Sequence, residues 1–482
     1  MTLLHATDIA VFDGTNRLLD PVSVTLEPGE PLVILGETGS GKSLLAQAIM
    51  GTLPENLRAE GQVRLGNRSL RAGADRAAFR KLWGREIAVL PQEPWLSLDP
   101  LMRAGAQVAE AHRLVRGLAP AQARMQAGND LAAFGLGAAV ARYPHELSGG
   151  MAQRVAIAAA RAGGAPIVIA DEPTKGLDAA RRNDVAALLL GELGQGGGLM
   201  VITHDLALAR MIGGRLIVLR EGTVIETGLT EQVFADPKAA YTRDLIAADP
   251  EHLPARKTGA GTGETVLRAQ GLTLSRRGQV LVEGLDLTLQ TGRILGITGP
   301  SGCGKSSLGD ALLGLLPPDA GQVIRAPYLP PTACQKLYQD PVAAFARKRS
   351  LGQTLTDVAR LHRAPAGRIE TLLARLRLDP ALLARRPGAV SGGELQRLAL
   401  LRAMLAQPRM LFADEPTSRL DPITQRDVIT MLADLARDEG LSIALVSHDA
   451  ALIDKVSDDV QRFAAQGSDI AAAMGRDKAM VA

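Results

Sequence analysis

Two segments of this chain share one pattern of glycine, lysine and serine: GETGSGKS at residues 36–43 and GPSGCGKS at residues 299–306. Each follows a short apolar run, PLVILG or RILGITG, and each precedes a helical pattern, SLLAQAIMG or SSLGDALLG. Glycines at these spacings let consecutive backbone N–H groups surround a phosphate, and the N-terminus of the following helix adds its positive end. The lysine would reach the β- and γ-phosphates, and the last serine would ligate Mg²⁺. The sequence therefore predicts two phosphate-binding loops.

The two loops supply most of the predicted nucleotide-binding residues. A single match to this pattern could be a loop of no function, whereas two matches in the same strand-to-helix setting favour phosphate binding. The candidates are Gly36, Glu37, Thr38, Gly39, Ser40, Gly41, Lys42 and Ser43 in the first loop, and Gly299, Pro300, Ser301, Gly302, Cys303, Gly304, Lys305 and Ser306 in the second. Ser43 and Ser306 are also candidate metal ligands.

Three further motifs recur in the same order in both halves of the chain. They are LSGGMAQR and VSGGELQR (147–154, 390–397), VIADEPT and LFADEPT (168–174, 411–417), and ITHD and VSHD (202–205, 446–449). Such self-similarity predicts two copies of one domain. Short apolar runs that end at polar residues are typical of buried parallel strands with sites at their carboxyl ends. We therefore predict an α/β fold that occurs twice.

The two copies are joined by PARKTGAGTGET at residues 254–265, a Gly- and Thr-rich segment without an apolar period. This composition predicts a flexible linker. We expect a first domain at residues 1–249, a linker at 250–264 and a second, shortened domain at 265–482.

The second copy is shorter mainly between its phosphate loop and a glutamine. Lys42 and Gln92 are 50 residues apart, whereas Lys305 and Gln339 are 34 apart. The first copy reads RSLRAGADRAAFRKLWG in this interval. We therefore predict a peripheral excursion that the second copy lacks.

Acidic pairs end one apolar run in each half. Asp171 and Asp414 lie where a carboxylate can hold Mg²⁺ directly or through water. The adjacent Glu172 and Glu415 could polarise an attacking water as general bases. A single Asp-Glu pair is usually structural, but its recurrence after a hydrophobic strand in both halves favours catalysis.

Histidines and serine–glycine motifs complete the repeated set. A lone histidine is more often a core or surface residue, but His204 and His448 occupy equivalent places, which favours sensing of a γ-phosphate. Ser148 and Ser391 would cap helices, and the paired glycines after them leave N–H groups free to meet an anion. By itself, this motif indicates only the start of a helix.

The overall composition excludes several other classes. The chain has 482 residues, of which 46% are hydrophobic and 3% aromatic, and its formal charge is only +3 without a concentrated basic stripe, which argues against nucleic-acid binding. Two cysteines cannot form a CxxC zinc or iron–sulfur site. The N-terminus does not resemble a signal peptide, and no apolar run approaches the ~20 residues that span a bilayer. Any membrane role would depend on a partner.

Taken in order, the motifs resemble those of the ATP-binding-cassette (ABC) ATPases over nearly the whole chain. The resemblance implies two fused P-loop nucleotide-binding domains, each a mainly parallel sheet flanked by helices with a small antiparallel β part and a helical subdomain. It assigns Gln92 and Gln339 to the Q-loops, which contact the metal, and Asp178 and Asp421 to the D-loops. The signature residues would be Ser148, Gly149, Gly150, Ser391, Gly392 and Gly393.

The family architecture also implies composite sites. Two cassettes would dock head to tail, so that Lys42 pairs with Ser391 and Lys305 with Ser148 across each ATP. An aromatic residue upstream of the phosphate loop stacks on adenine in this family, and Phe12 is the candidate in the first half. Its counterpart is Ser275, followed by two arginines, which predicts weaker stacking in the second half.

A narrower resemblance is to the dipeptide, oligopeptide and nickel importer group. It rests on PQEPWLSLDP at residues 91–100 and FADPKAAYTRDLIAADP at residues 234–250. It implies an ATPase that uses ATP and Mg²⁺ and sits peripherally on the cytoplasmic face of the inner membrane. Its partners would be two transmembrane permeases and an extracytoplasmic solute-binding protein. The alternative is a soluble ABC-type ATPase without a transport role, for example a carbon–phosphorus lyase accessory.

Overall fold

The computed structural model describes residues 2–175, 177, 179–255, 263–276, 278–300, 302–327, 329–418 and 420–463. The chain divides into two compact units, Met1–Ala247 and Ala248–Ala482. Across the described ranges, no helix combines the length and the apolarity that crossing a membrane requires.

The first unit contains ten strands and nine α-helices within its described residues, besides short 3₁₀ helices. In chain order these are β1 (Leu4–Asp13), β2 (Asn16–Leu26), β3 (Leu32–Leu35), α1 (Lys42–Met50), β4 (Leu57–Leu65), β5 (Arg68–Arg71), α2 (Arg76–Arg80), β6 (Ile87–Leu90), α3 (Ala104–Leu114), α4 (Pro120–Ala133), α5 (Gly149–Arg161), β7 (Ile167–Asp171), α6 (Ala179–Leu190), β8 (Gly198–Thr203), α7 (Leu206–Ile212), β9 (Arg215–Arg220), β10 (Thr223–Leu229), α8 (Thr230–Ala235) and α9 (Ala240–Ala247).

A six-stranded sheet in the order β10-β9-β3-β8-β7-β6 forms the centre of the first unit. All of its neighbouring pairs are parallel except β10 with β9. The central strands are short and apolar because both of their faces are buried. Their carboxyl ends therefore meet at one edge of the sheet, where the loops after Leu35, Leu90, Asp171 and Thr203 lie close together.

The remaining parts of the first unit pack around this sheet. An antiparallel sheet in the order β2-β1-β4-β5 shares one hydrophobic core with α1 and with the inner residues of the parallel strands. Helices α3, α4 and α5 contact one another and form a helical part between β6 and β7. The excursion predicted from the sequence forms β5 and α2.

The second unit repeats this plan with fewer elements. Its described strands and α-helices are β11 (Thr265–Arg276), β12 (Gln279–Gln290), β13 (Ile294–Thr298), α10 (Lys305–Leu313), β14 (Ala320–Arg325), β15 (Cys334–Leu337), α11 (Leu351–Leu361), α12 (Arg368–Arg375), α13 (Gly392–Met404), β16 (Met410–Asp414), α14 (Pro422–Glu439), β17 (Ser442–Val446), α15 (Ala450–Val456) and β18 (Asp459–Arg462).

The second unit has a parallel five-stranded sheet in the order β15-β16-β17-β13-β18 and an antiparallel sheet in the order β12-β11-β14. Its described residues contain no counterpart of β5 and α2 between α10 and β15. The predicted α/β class, with mainly parallel sheets, an antiparallel part and helices on the sheet, is confirmed in both units.

The segment around residue 250 belongs to the second unit. Asp249 caps a short 3₁₀ helix, Pro250–His252, and Leu253 is buried in a core cluster with Ile294 and Ile453. Residues 256–262 of the expected linker lie outside the described residues, as do residues 464–482.

Candidate functional site

The first phosphate loop connects β3 to α1. Gly41 has a φ of 97° and precedes the helix as its N-cap, a conformation that an L side chain rarely adopts. A Cβ on Gly36 would lie 2.2 Å from the carbonyl oxygen of Leu219, so only glycine fits there. The buried Lys42 ammonium donates to the carbonyl oxygens of Gly36 and Glu37, each at 2.7 Å. The loop therefore holds its lysine inside the turn, facing the end of the sheet.

The second phosphate loop has nearly the same geometry. Gly304 has a φ of 103° at the N-cap of α10, and Lys305 Nζ donates to the carbonyl oxygens of Gly299 and Pro300 at 2.7 and 2.8 Å. Burial raises the pKa of the Cys303 thiol, and the nearby Lys305 offsets only part of this effect. Ser301, also predicted to bind nucleotide, lies outside the described residues.

A tyrosine from the end of the first unit contacts the first loop. The backbone N–H of Glu37 donates to the Tyr241 hydroxyl at 3.2 Å, and the Tyr241 ring is buried in α9. The residue equivalent to Glu37 in the second loop is Pro300, which has no N–H to satisfy. The sequence-based reasoning used the segment around Tyr241 only as a mark of resemblance and missed this contact.

The acidic pair of the first unit ends β7 beside the phosphate loop. Asp171 Oδ1 is buried and has no hydrogen-bond partner, although the Ser43 side chain bonds the carboxyl group. Burial raises the pKa of Asp171 more than Ser43 lowers it. Glu172 has a φ of 49°, and its backbone N–H donates to Ile202 of the next strand at 2.8 Å. A non-glycine residue held in this conformation is a form of strain that is frequent at functional sites.

His204 holds the Glu172 side chain directly. The His204 Nδ1 lies 2.7 Å from Glu172 Oε1, and Lys42 Nζ lies 3.9 Å from the same oxygen. Burial by itself raises the pKa of Glu172, but the charge and hydrogen bond of His204 outweigh it and lower the pKa overall. Burial likewise lowers the pKa of His204, and Glu172 reverses this and raises it. The two groups form a buried, charge-assisted pair.

The acidic pair of the second unit has a different set of partners. Glu415 has a φ of 45°, as Glu172 does, but its Oε2 accepts a hydrogen bond from Gln339 Nε2 at 2.9 Å. His448 Nδ1 lies 3.7 Å from the same oxygen. Gln339 therefore makes the short contact that His204 makes in the first unit.

Asp414 has a serine partner, as Asp171 has in Ser43, and a lysine neighbour as well. Its Oδ1 accepts a hydrogen bond from Ser306 at 3.2 Å, and Lys336 Nζ lies 3.7 Å from its Oδ2. Burial raises the pKa of Asp414, while Ser306 and Lys336 act in the opposite direction. The sequence-based reasoning missed Lys336; its only signal was a lysine in a short apolar strand, three residues before Gln339.

The serine–glycine motifs begin helices, as predicted. Ser148 caps α5 by accepting from Met151 N at 3.4 Å. Ser391 caps α13 by accepting from Glu394 N at 3.3 Å, and its hydroxyl donates to the Glu394 carboxylate at 2.8 Å. The glycines that follow, Gly149, Gly150, Gly392 and Gly393, are the first helical residues. The pairing of each motif with the opposite phosphate loop stays a prediction.

The other predicted residues are less closely connected to the sites. Phe12 lies near the end of β1, with the Arg58 guanidinium 4.4 Å from its ring centroid. Gln92 follows β6 and is exposed. Asp421 caps α14 through Thr424 N at 2.9 Å. Asp178 lies outside the described residues.

In each unit, a phosphate loop, a strand-end acidic pair and a histidine meet at the carboxyl edge of one parallel sheet. This arrangement defines a P-loop nucleotide-binding domain, and the chain contains two of them. The model of the ABC transporter family matches residues 19–175 and 282–418. The chain belongs to this family, and the prediction of a tandem ABC ATPase is confirmed.

Two relatives match over most of their length. The peptidoglycan transport ATP-binding protein YejF of Agrobacterium fabrum is 34% identical over 494 residues, which cover 95% of this chain and 90% of the relative. The glutathione import ATP-binding protein GsiA of Escherichia coli K12 is 33% identical over 500 residues, which cover 90% of this chain and 80% of the relative. These relatives confirm the predicted resemblance to importer ATPases of the peptide group.

A solved structure shares the fold. The archaeal ribosome recycling factor aABCE1, in complex with the ribosomal stalk protein aP1, superposes with a TM-score of 0.66 over 98% of this chain and 92% of its own. Its sequence identity is 22%, so the similarity concerns the fold alone.

Proposed function

We propose that this chain is the ATP-hydrolysing subunit of an ABC importer and that each unit binds and cleaves one ATP with Mg²⁺. The observation that supports this proposal most is the repeated set of loop lysine, strand-end Asp-Glu pair and histidine at one edge of each sheet. The importer role is supported by relatives that match almost the whole chain and are named for import or transport.

The residues at the end of β7 fit a divalent cation. Asp171 has a buried carboxylate oxygen without a hydrogen-bond partner, and the Ser43 hydroxyl bonds the same group. Oxygen donors of this kind suit Mg²⁺, which retains several waters and uses one or two protein ligands together with phosphate oxygens. Ser43 and Asp171 would hold the ion in the first unit, and Ser306 and Asp414 in the second, with Gln92 and Gln339 as further ligands. Bound Mg²⁺ would supply positive charge to neutralise the phosphates.

The remaining groups would carry out the proton and phosphate steps. Lys42 would leave its two carbonyl partners to contact the β- and γ-phosphates, while the loop N–H groups surround them. Glu172 is kept ionised by His204, as a general base must be in order to accept a proton from water. His204 would then sense the γ-phosphate from its position beside the base. Lys305, Glu415 and His448 would have the same roles in the second unit.

The permease partner would dock on the first unit beside its Q-loop. A cavity of 380 Å³ with mainly apolar walls lies between Met50, Trp83, α3, α5 and β6. Strand β6 lines this cavity and ends two residues before Gln92. A helix bound in the cavity could therefore transmit a displacement through β6 to the nucleotide site of the first unit. We therefore assign the cavity to a cytoplasmic helix of one of two permease subunits. In that position the chain would lie peripherally on the cytoplasmic face of the membrane.

The cargo class follows the relatives, which are named for peptidoglycan and glutathione. We propose import of short peptides or related solutes such as chelated metal, delivered by an extracytoplasmic binding protein. The rival function, an ABC ATPase without a transport role, would require no permease.

The experiment is reconstitution of the chain with its two permeases and binding protein in liposomes. Cargo should stimulate ATP hydrolysis, and Ala160→Trp, which fills the cavity, should abolish the stimulation while the ATPase activity of the isolated chain remains. Ala121→Trp, at an exposed position of α4, is the matched control. ATP hydrolysis that never responds to the permeases would favour the rival function.

A further inference from the structure

Lys336 places a fixed positive charge at the second site. It lies on β15 with only 13% of its side chain exposed. Its ammonium is 2.8 Å from Asp310 Oδ1 and 3.7 Å from Asp414 Oδ2. It also lies 5.7 Å from the centroid of the Phe412 ring, within the range of a cation–π contact. The ring centroid of Tyr338 lies 5.6 Å away, so two carboxylates and two aromatic rings surround the ammonium.

The first site has an uncharged residue at each corresponding position. Lys336 pairs in register with Phe412, two residues before Asp414, and Val89 pairs with Ile169, two residues before Asp171. Val89 is therefore the structural counterpart of Lys336. Asp310 is five residues after Lys305, and the residue five after Lys42 is Gln47. The second unit thus has a lysine–aspartate ion pair at the two positions where the first unit has valine and glutamine.

This replacement changes the surroundings of the carboxylate that would hold the metal. Asp414 Oδ1 already accepts from Ser306 at 3.2 Å, and Oδ2 faces the ammonium of Lys336. In the first unit, Ser43 likewise bonds the Asp171 carboxyl, and Lys42 and Lys175 act on it by charge, whereas the strand position that Lys336 occupies holds the uncharged Val89. A divalent cation held by Asp414 would be repelled by the Lys336 ammonium, and repulsion between like charges is strong in a partly buried site. Asp310 is the more exposed member of its pair, at 31%, so water screens its opposing charge more.

We propose that Lys336 lowers the affinity of the second site for the divalent cation that accompanies the nucleotide, which makes the two sites of this chain unequal. The proposal rests on the nucleotide-binding function proposed above. At limiting Mg²⁺, the first site fills with metal–nucleotide before the second. The inequality is built into the second unit by two side chains and does not require a difference in the phosphate loops.

Metal affinity can be measured at one site at a time. Lys42→Ala disables the first loop and Lys305→Ala disables the second. Mn²⁺ titrations of each variant with saturating AMP-PNP, followed by electron paramagnetic resonance, report the affinity for the metal without any turnover. We expect the Lys42→Ala protein, which retains the second site, to bind Mn²⁺ about tenfold more weakly than the Lys305→Ala protein.

Reciprocal exchanges test whether Lys336 causes this difference. In the Lys42→Ala background, Lys336→Val with Asp310→Gln should strengthen Mn²⁺ binding at least fivefold. In the Lys305→Ala background, Val89→Lys with Gln47→Asp should weaken it to a similar extent. One pair of substitutions removes the lysine from the second site and the other adds a lysine to the first site. If one of these proteins does not fold, the other still tests the proposal.

The outcomes separate this inference from the proposed function. Unchanged Mn²⁺ affinity in a folded exchange variant overturns the role of Lys336. Equal affinity of the two single-site proteins overturns the inequality. If neither single-site protein binds AMP-PNP or Mn²⁺, the proposed nucleotide function itself fails.

Discussion

The two histidines should contribute unequally to stability, although the sequence places them in equivalent motifs. His204 Nδ1 is 2.7 Å from Glu172 Oε1, and Glu172 is only 8% exposed. The change His204→Gln breaks the short contact of a buried pair and leaves a carboxylate whose charge Lys42, at 3.9 Å, offsets only in part, which should lower the free energy of unfolding by about 3 kcal/mol. His448 is 3.7 Å from Glu415, which keeps its hydrogen bond from Gln339. The change His448→Gln should therefore lower the free energy of unfolding by at most about 1 kcal/mol.

Hydrogen exchange with mass spectrometry measures the stability of each unit separately within the intact chain. A loss of about 3 kcal/mol corresponds to a roughly hundredfold faster exchange of the slowest amides, since 1.4 kcal/mol is a factor of ten. We expect this acceleration in peptides that cover β7 of His204→Gln, measured at pH 6 without nucleotide or divalent metal. In His448→Gln, peptides that cover β16 should change about fivefold or less.

The pH dependence follows from the direction of the two pKa shifts. The pKa of His204 is raised in the folded protein. Its contribution to the free energy of unfolding is therefore full below the ordinary value of 6.5 and is lost as the pH rises through the raised value. The pKa of Glu172 is lowered, so its contribution is full above the ordinary value of 4.5 and is lost as the pH falls through the lowered value. The His204→Gln effect should therefore be largest between pH 4.5 and 6.5 and smaller in alkaline solution. Equal acceleration in the two variants, or an effect that grows with pH above 6.5, would refute this reasoning.

Three further predictions concern the nucleotide sites. Glu172→Gln combined with Glu415→Gln should bind ATP yet retain below about 1% of wild-type hydrolysis; unimpaired turnover would remove both residues from the role of general base. Tyr241→Phe removes the hydroxyl that accepts from the Glu37 N–H. The KM for ATP should rise two- to fivefold in a protein in which only the first site is active, and should not change in one in which only the second is active. Equal effects at both sites would count against a local role of Tyr241. Gly36→Ala would place a Cβ 2.2 Å from a carbonyl oxygen, so the first site should lose nucleotide binding in a filter assay, and normal binding would contradict the geometry.

The domain architecture was predictable because it depends on local patterns. The apolar runs before Gly36 and Gly299 had to be buried strands, since runs of this length end at polar loop residues in both copies. The glycines of the loops also predicted a left-handed backbone conformation that other residues avoid. Gly41 and Gly304 adopt this conformation. The parallel order of the strands then brought Glu172 to the same edge as the first loop.

The boundary between the units was less accessible to sequence reasoning. The composition of residues 254–265 indicates a linker, but the sequence gives no sign that Leu253 belongs to the core of the second unit. Its burial depends on contacts with residues far along the chain, which a local composition cannot show.

The sequence by itself determined that this chain has two phosphate loops, two acidic pairs and two histidines in a repeated order, because each motif is a local pattern with a local physical reason. Only the tertiary structure decided how the two sites differ. Tyr241 and Glu37 are 204 residues apart, and Gln339 and Glu415 are 76 apart, so their contacts depend on how the strands and helices pack. The same packing brings Lys336 to within 3.7 Å of Asp414, at a strand position where the first unit has Val89.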